Sequence, residues 1–252
     1  MMKHLTISDI YLEGNMLSED ARKTIYLTPT DALQYSNNTW LYHQCPTQVQ
    51  WLTDIETQKE MHVTQGSDHL SFYFPENEYL NEAWFDLFKE LGFKLGVLEF
   101  YLIEGQDLAQ LNKRDDVTLI KVNRENLQDY LDIYYQFSLP FGKKYAKQSV
   151  KNVKQNFNIN KATPMVSYLN GQPVGIVDII ENKNSVEIDG FGVLEDYQRN
   201  GIGQTMQAFV GELAGERPVM LVADGEDTVK DMYLKQGYVY RSFRYQVLKE
   251  KI

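Results

Sequence analysis

Gln198-Arg199-Asn200-Gly201-Ile202-Gly203 stands between two segments of opposite periodicity. Before it, Ser185 to Val193 alternates branched and polar residues, which predicts a strand. After it, Gln204 to Ala214 places Met206, Phe209, Val210 and Leu213 at i, i+3, i+4 and i+7, one apolar face of a helix. A glycine-rich turn leading into a helix leaves backbone N–H groups uncommitted at the positive end of the helix dipole, an arrangement suited to a phosphate. Glycine also lets the backbone approach an anion closely. An ordinary strand-to-helix loop has the same composition, so flanking context must decide. No Lys-Ser/Thr follows the glycines and no third glycine is present, which excludes the nucleotide P-loop and the dinucleotide fingerprint.

Upstream, Val117 to Val122 predicts a strand. Leu127, Tyr130, Leu131, Ile133, Tyr134 and Phe137 have helical spacing that ends at Leu139-Pro140-Phe141-Gly142, and a second helix runs through Val150, Val153 and Phe157. Strands at Met165–Leu169 and Pro173–Ile180 flank Asn170-Gly171, a hairpin turn signal. Downstream come a strand at Val219–Ala223, a helix around Val229, Met232 and Tyr233 with Thr228 and Asp231 as a capping pair, Gly237 as C-cap, and a strand from Tyr238 to Leu248. The fold class is mixed α/β, a mixed sheet flanked by helices.

With that order in place, the hexapeptide resembles the Q/R-x-x-G-x-G/A signature of the GCN5-related N-acetyltransferase (GNAT) family, with Gln198, Gly201 and Gly203 in register. The resemblance spans residues 117–252 and implies an acetyl-CoA-dependent N-acetyltransferase. Such an enzyme moves an acetyl group to an amine by direct attack in a ternary complex. It implies that Gln198, Arg199, Asn200, Gly201, Ile202, Gly203 and Gln204 grip the pyrophosphate of coenzyme A. It also implies that the backbone of Phe191, Gly192 and Val193 pairs with the pantetheine arm, as in strand addition. Tyr233 takes the position of the tyrosine that protonates the departing thiolate; a phenol of pKa about 10 suits a thiolate of about 8.5. Glu187 stands where the histone-modifying branch has its base, and Asp189, on the same strand face, is the alternative. A backbone N–H near Val193 is expected to stabilise the developing oxyanion. The segment Ala223 to Thr228 lacks the asparagine that many members carry there, so Asp227 and Thr228 are expected to cap the helix instead.

Residues 1–104 lack the signature but share part of the layout. Leu80, Trp84, Leu87, Phe88 and Leu91 form a helical stripe, then Gly92-Phe93 leads into the apolar strand Leu95–Ile103. Aligning Gly92 with Gly237 sets Phe88 on Tyr233. The reading is a tandem chain: a degenerate GNAT-like domain at 1–110, a linker at Gly105 to Asp116, and an intact domain at 117–252. The bland alternative is a common C-cap pattern.

Composition narrows the partners. Hydrophobic residues make up 43% of 252, enough for a packed core. A net charge of -10 and a pI near 4.9 argue against a nucleic-acid partner, and speak against a third reading, an aminoacyl-tRNA-dependent ligase. A single cysteine, Cys45, fits a reducing compartment, and no signal peptide or membrane span is read, so the expected location is cytoplasmic. The four histidines follow no metal-ligand spacing, and no metal is expected. Lys143, Lys144, Lys147, Lys151 and Lys154 read as a solvated helix face. The expected partner is a small-molecule or peptide amine, with the chain a monomer or homodimer. The competing reading is a non-catalytic acyl-CoA-binding or regulatory module.

Overall fold

The structure, a computed structural model, describes residues 5–157, 161–225 and 230–252. They divide into two compact units. One comprises Leu5–Phe100, Val222–Lys230 and Arg241–Ile252; the other comprises Tyr101–Leu221 and Asp231–Tyr240. Along the first half of the chain the division falls between Phe100 and Tyr101, and not in residues 105–116.

The N-terminal unit starts with the antiparallel strands β1 (Met16–Glu19), β2 (Lys23–Tyr26) and β3 (Trp40–Tyr42). Helix α1 (Gln48–Gln65) follows, then β4 (His69–Tyr73), parallel to β3, and α2 (Glu82–Glu90). Period-2 alternation sends Trp40, Tyr42, Phe72 and Phe74 to one face, where Trp51 of α1 meets the rings of Phe72, Phe74, Trp84, Phe88 and Phe93. An ion pair is built in beside this core: Asp54 of α1 accepts from Lys23 Nζ at 2.6 Å and from the Tyr42 hydroxyl at 2.8 Å. The unit is closed from afar in sequence, because Gln246 to Glu250 pair antiparallel with Tyr73 to His69. That pairing is why the last residues of the chain count with the first hundred.

The strand β5 (Lys94–Glu104) runs through the point of division. In the C-terminal unit, helix α3 (Gly105–Leu108) occupies the start of the expected linker and is packed, with Gly105 and Leu108 buried. A Cβ on Gly105 would lie 2.6 Å from the Arg217 carbonyl, so the chain passes there only as glycine. Then come β6 (Val117–Lys121), α4 (Leu127–Ser138), α5 (Lys143–Asn156), β7 (Thr163–Leu169), β8 (Gln172–Glu181) and β9 (Val186–Val193). Helix α6 (Ile202–Ala214), β10 (Pro218–Asp224), α7 (Lys230–Lys235) and β11 (Val239–Glu250) follow; β10 from Val222 and β11 from Arg241 belong to the N-terminal unit. The strand order is β10-β9-β8-β7-β6, antiparallel except for the parallel pair β9 and β10. Tyr130, Leu131 and Ile133 of α4 pack on Val166 and Ile176 on one sheet face. Met206 of α6 lies on the other face, at Gly175. The expected caps Asp227 and Thr228, and Val229, lie outside the described residues. No helix among the described residues is long and apolar enough to cross a membrane.

Candidate active site

Strand β9 is irregular at the place that matters. Asp189 pairs with Asp178 and Gly192 with Ile176, so Gly190 and Phe191 together face the single residue Val177. This two-against-one count is a β-bulge, and Gly190 supplies the positive φ of 54° it requires. On its other edge β9 pairs with β10 only at Val186–Val219 and Glu187–Met220. Beyond Glu187 the two parallel strands part, and the β9 edge from Ile188 to Val193 has no strand partner in β10. An edge freed in this way presents backbone donors and acceptors to an extended ligand.

The loop that follows is tied to the same strand. Gln198 Nε2 donates to the Val193 carbonyl at 3.0 Å, and the Phe191 ring lies 3.3 Å from where a Cβ on Gly203 would stand. Arg199 (φ 58°) and Gly201 (φ 77°) are both left-handed, and Gly201 is the N-cap of α6. Glycine has no side chain with which to cap, so among the described residues no N-cap side chain satisfies the first-turn amides of α6. The helix thus begins at Ile202, two residues before the sequence-based expectation. Arg114 braces the loop from outside: its Nη1 donates to the Asn200 carbonyl at 2.7 Å while Nε and Nη2 hold Asp116 at 2.8 and 2.7 Å. Thr205 Oγ1 accepts from the Arg114 amide at 3.1 Å and donates to the Gly201 carbonyl at 2.9 Å. Arg114 escaped the sequence reading because it lies in the stretch taken for a linker.

Two carboxylates share one face of β9. Glu187 is 3% exposed and stands at the last paired position before the strands part. Asp189 lies two residues on, where its residue surface is open to solvent; the protein packed around it raises its carboxyl, although the Gly190 amide, at 2.8 Å, pulls the other way. Opposite Asp189, Asp178 accepts from the Tyr130 hydroxyl at 2.9 Å on each oxygen, and burial followed by that carboxylate drives the phenol well above its ordinary range. Asp178 was a legible signal that the sequence reading passed over: a lone acid in the apolar run from Pro173 to Ile180. Gly192 faces Phe137 of α4, and a Cβ there would stand 2.5 Å from the ring.

Tyr233 is buried on α7, its ring 5.8 Å from Tyr101 and 5.4 Å from Tyr238. The sequence-predicted residues thus gather in three places. Phe191 to Val193 and Gln198 to Gln204 form one cradle, Glu187 and Asp189 line the strand beside it, and Tyr233 belongs to a tyrosine cluster. No group of three or more His, Cys, Asp or Glu that could hold a metal occurs among the described residues.

The first helix of the N-terminal unit starts differently from α6. Between β3 and α1, Thr47 Oγ1 accepts from the Gln50 amide at 3.2 Å and Gln50 Oε1 accepts from the Thr47 amide at 2.9 Å. This capping box satisfies first-turn donors of a kind that no N-cap side chain satisfies in α6.

The sequence profile of the acetyltransferase (GNAT) family matches residues 127–238, and that of a domain of unknown function, DUF5613, matches residues 5–101. Among solved structures, a functionally unknown conserved protein from Staphylococcus epidermidis is 51% identical over 99% of both chains, with a TM-score of 0.95. A GCN5-related N-acetyltransferase from Kribbella flavida superposes with a TM-score of 0.65 at 15% identity, over 94% of this chain and 90% of its own. A tandem GNAT protein from the clavulanic acid biosynthesis pathway superposes at 0.54 with 10% identity, over 85% of this chain and 75% of its own. At those identities the latter two show likeness of fold. Among curated proteins none matches the sequence.

Proposed function

We propose, on the premise that the chain belongs to the acetyltransferase (GNAT) family through residues 127–238, that it is an acetyl-CoA-dependent N-acetyltransferase acting on a primary amine of a small molecule or peptide. The observation that carries this reading is the parting of β9 from β10 beside a helix whose amino end is left uncapped. These features fit an extended thioester bearing a pyrophosphate. The amides of Arg199 to Gln204 would take the pyrophosphate, and the β9 edge from Ile188 to Val193 would pair with the pantetheine arm. When bound, the cosubstrate supplies an activated acetyl thioester.

The chain's own residues supply the rest. An amine attacks only when neutral, so a base must remove its proton. Glu187, at the fork of the two strands, is the residue we assign to that step, with Asp189 as the alternative. Tyr233 donates a proton to the leaving thiolate. The carboxylates of Glu187 and Asp189 on β9 and of Asp178 on the neighbouring β8 favour a cationic acceptor. We read the N-terminal unit as a degenerate copy of the same fold whose phosphate site has been replaced by the Thr47–Gln50 capping box.

Calorimetric titration of the protein with acetyl-CoA, beside Gly201→Glu and Gly203→Glu variants, tests the reading. Binding that the variants lose supports it, and justifies screening amine acceptors. Absence of binding to the unmodified protein would overturn it in favour of a fold kept for another ligand. Binding with no transfer to any amine would favour the non-catalytic acyl-CoA-binding module.

A further inference from the structure

On β11, Ser242 and Arg244 are two residues apart and so point to the same side of the strand. Both belong to the N-terminal unit and both are enclosed, Ser242 at 2% exposure and Arg244 at 4%. Neither is satisfied. Among the described residues the Ser242 hydroxyl and Arg244 Nε have no hydrogen-bond partner. The guanidinium reaches one weak acceptor, Ser8 Oγ, at 3.4 Å from Nη2, and its Cζ stands 6.0 Å from the Tyr73 ring. No described carboxylate lies within ion-pair distance. Glu76 is near enough to favour the charge, but its Oε1 accepts from the Ile7 amide at 3.3 Å.

A buried cation without an ion-pair partner is among the costliest things a fold can hold. The contrast within the same unit is sharp, since buried Lys23 has Asp54 at 2.6 Å. Burial pulls the Arg244 guanidinium down to about 10, far too high to lose its charge near neutrality. A planar fork of donors, with an unsatisfied hydroxyl on the same side of the strand, matches the two oxygens of a carboxylate or the three of a phosphate. Two unsatisfied buried donors on one side of one strand call for acceptors, which a ligand can supply.

We infer that Ser242 and Arg244 form the floor of a binding site in the N-terminal unit for the oxyanion of a small ligand, a carboxylate or a phosphate group. Ser8 and Tyr73 border it. This site is independent of the amino end of α6, and the inference does not rest on the acetyltransferase reading.

The test is calorimetric titration of the intact protein with succinate and, separately, with inorganic phosphate. Saturable binding of one of them is expected, and which one binds identifies the group recognised. Arg244→Lys keeps the charge but loses the fork, and Arg244→Met removes both; each should weaken binding at least about tenfold, the loss of one charge-assisted hydrogen bond or more. Ser242→Ala should weaken it less. Gly203→Glu, which blocks the α6 turn, should leave it unchanged. Arg244→Met should also unfold at a higher temperature than the parent when no anion is present, since an unpaired charge has been removed, which guards against mistaking misfolding for lost binding. No binding of either anion, or binding that persists in Arg244→Met and vanishes in Gly203→Glu, would overturn the inference.

Discussion

The amide of Tyr238 donates to the carbonyl of Tyr233 at 3.1 Å, closing helix α7. The N-terminal unit closes α2 in the same way, Phe93 donating to Phe88 at 2.8 Å, with Gly92 standing where Gly237 stands. Two tyrosines in one half are thus matched by two phenylalanines in the other, and the two hydroxyls have different standing. That of Tyr238 is buried without a partner among the described residues, and its ionisation is pushed well above the ordinary range by burial, then by Tyr233. Tyr238→Phe is therefore expected to raise stability by about 1 kcal/mol, since it removes an unsatisfied polar group and keeps the ring. Tyr233→Phe is expected to leave acetyl-CoA binding intact and to slow transfer by roughly 10²-fold or more. Denaturant unfolding and single-turnover kinetics read the two outcomes. Equal turnover in both variants would remove Tyr233 from the mechanism.

The fork of β9 and β10 offers two candidate bases, and pH separates them. Asp189 has a raised carboxyl, so if it were the base the acid limb of kcat/KM would lie above the ordinary carboxylate range and disappear in Asp189→Asn. The assignment made above expects the opposite: Glu187→Gln abolishes the limb and costs about 10²-fold or more, while Asp189→Asn retains it.

Thr47 makes a prediction about the capped turn before α1. Thr47→Ala breaks the capping box and should cost about 1 kcal/mol of stability. Acetyl-CoA affinity should not change. A second equivalent of acetyl-CoA binding to the variant would instead mean that the cap alone keeps the N-terminal turn from acting as a phosphate site.

His62 and His69 are buried with ring centroids 5.0 Å apart, and His62 Nδ1 meets the His69 carbonyl at 2.6 Å. Burial first, then His62, holds His69 down to about 4 from 6.5. The unfolded chain takes up its proton before the folded one, so stability is complete above the unfolded value and is lost as pH falls towards 4. His69 alone accounts for about 1.4 kcal/mol per pH unit in that window. His62 is lowered too, and adds to the loss. Asp68 and Glu250 act on His69 in the opposite sense. Urea unfolding at several pH values should show a shallower acid slope in His69→Phe than in the parent. Identical slopes would refute the linkage.

What was legible in the sequence was whatever repeats at short range. The β9–loop–α6 turn could be read because strand alternation, two glycines and a helical stripe lie within thirty residues. The match of Gly92 to Gly237 could be read because a left-handed cap needs glycine at a fixed offset. Arg114 could not, since its role depends on a carbonyl at Asn200, far along the chain. The bulge at Gly190 was hidden in a segment that reads as an uninterrupted strand. The extent of the units was hidden for a related reason: Gly105 looks like linker glycine, and only its closeness to the Arg217 carbonyl shows that it is packed.

The pairing of Gln246–Glu250 with β4 has a consequence for synthesis. Translation proceeds from the amino end, so Trp51 and its aromatic neighbours are synthesised long before Val247, which belongs to the same core. Until residues 241–252 have been made, β4 keeps an open edge on that side, the kind of edge that invites pairing with another nascent chain. The first hundred residues must therefore wait for the last dozen, and a stop codon placed after Tyr240 would injure the beginning of the protein more than its end.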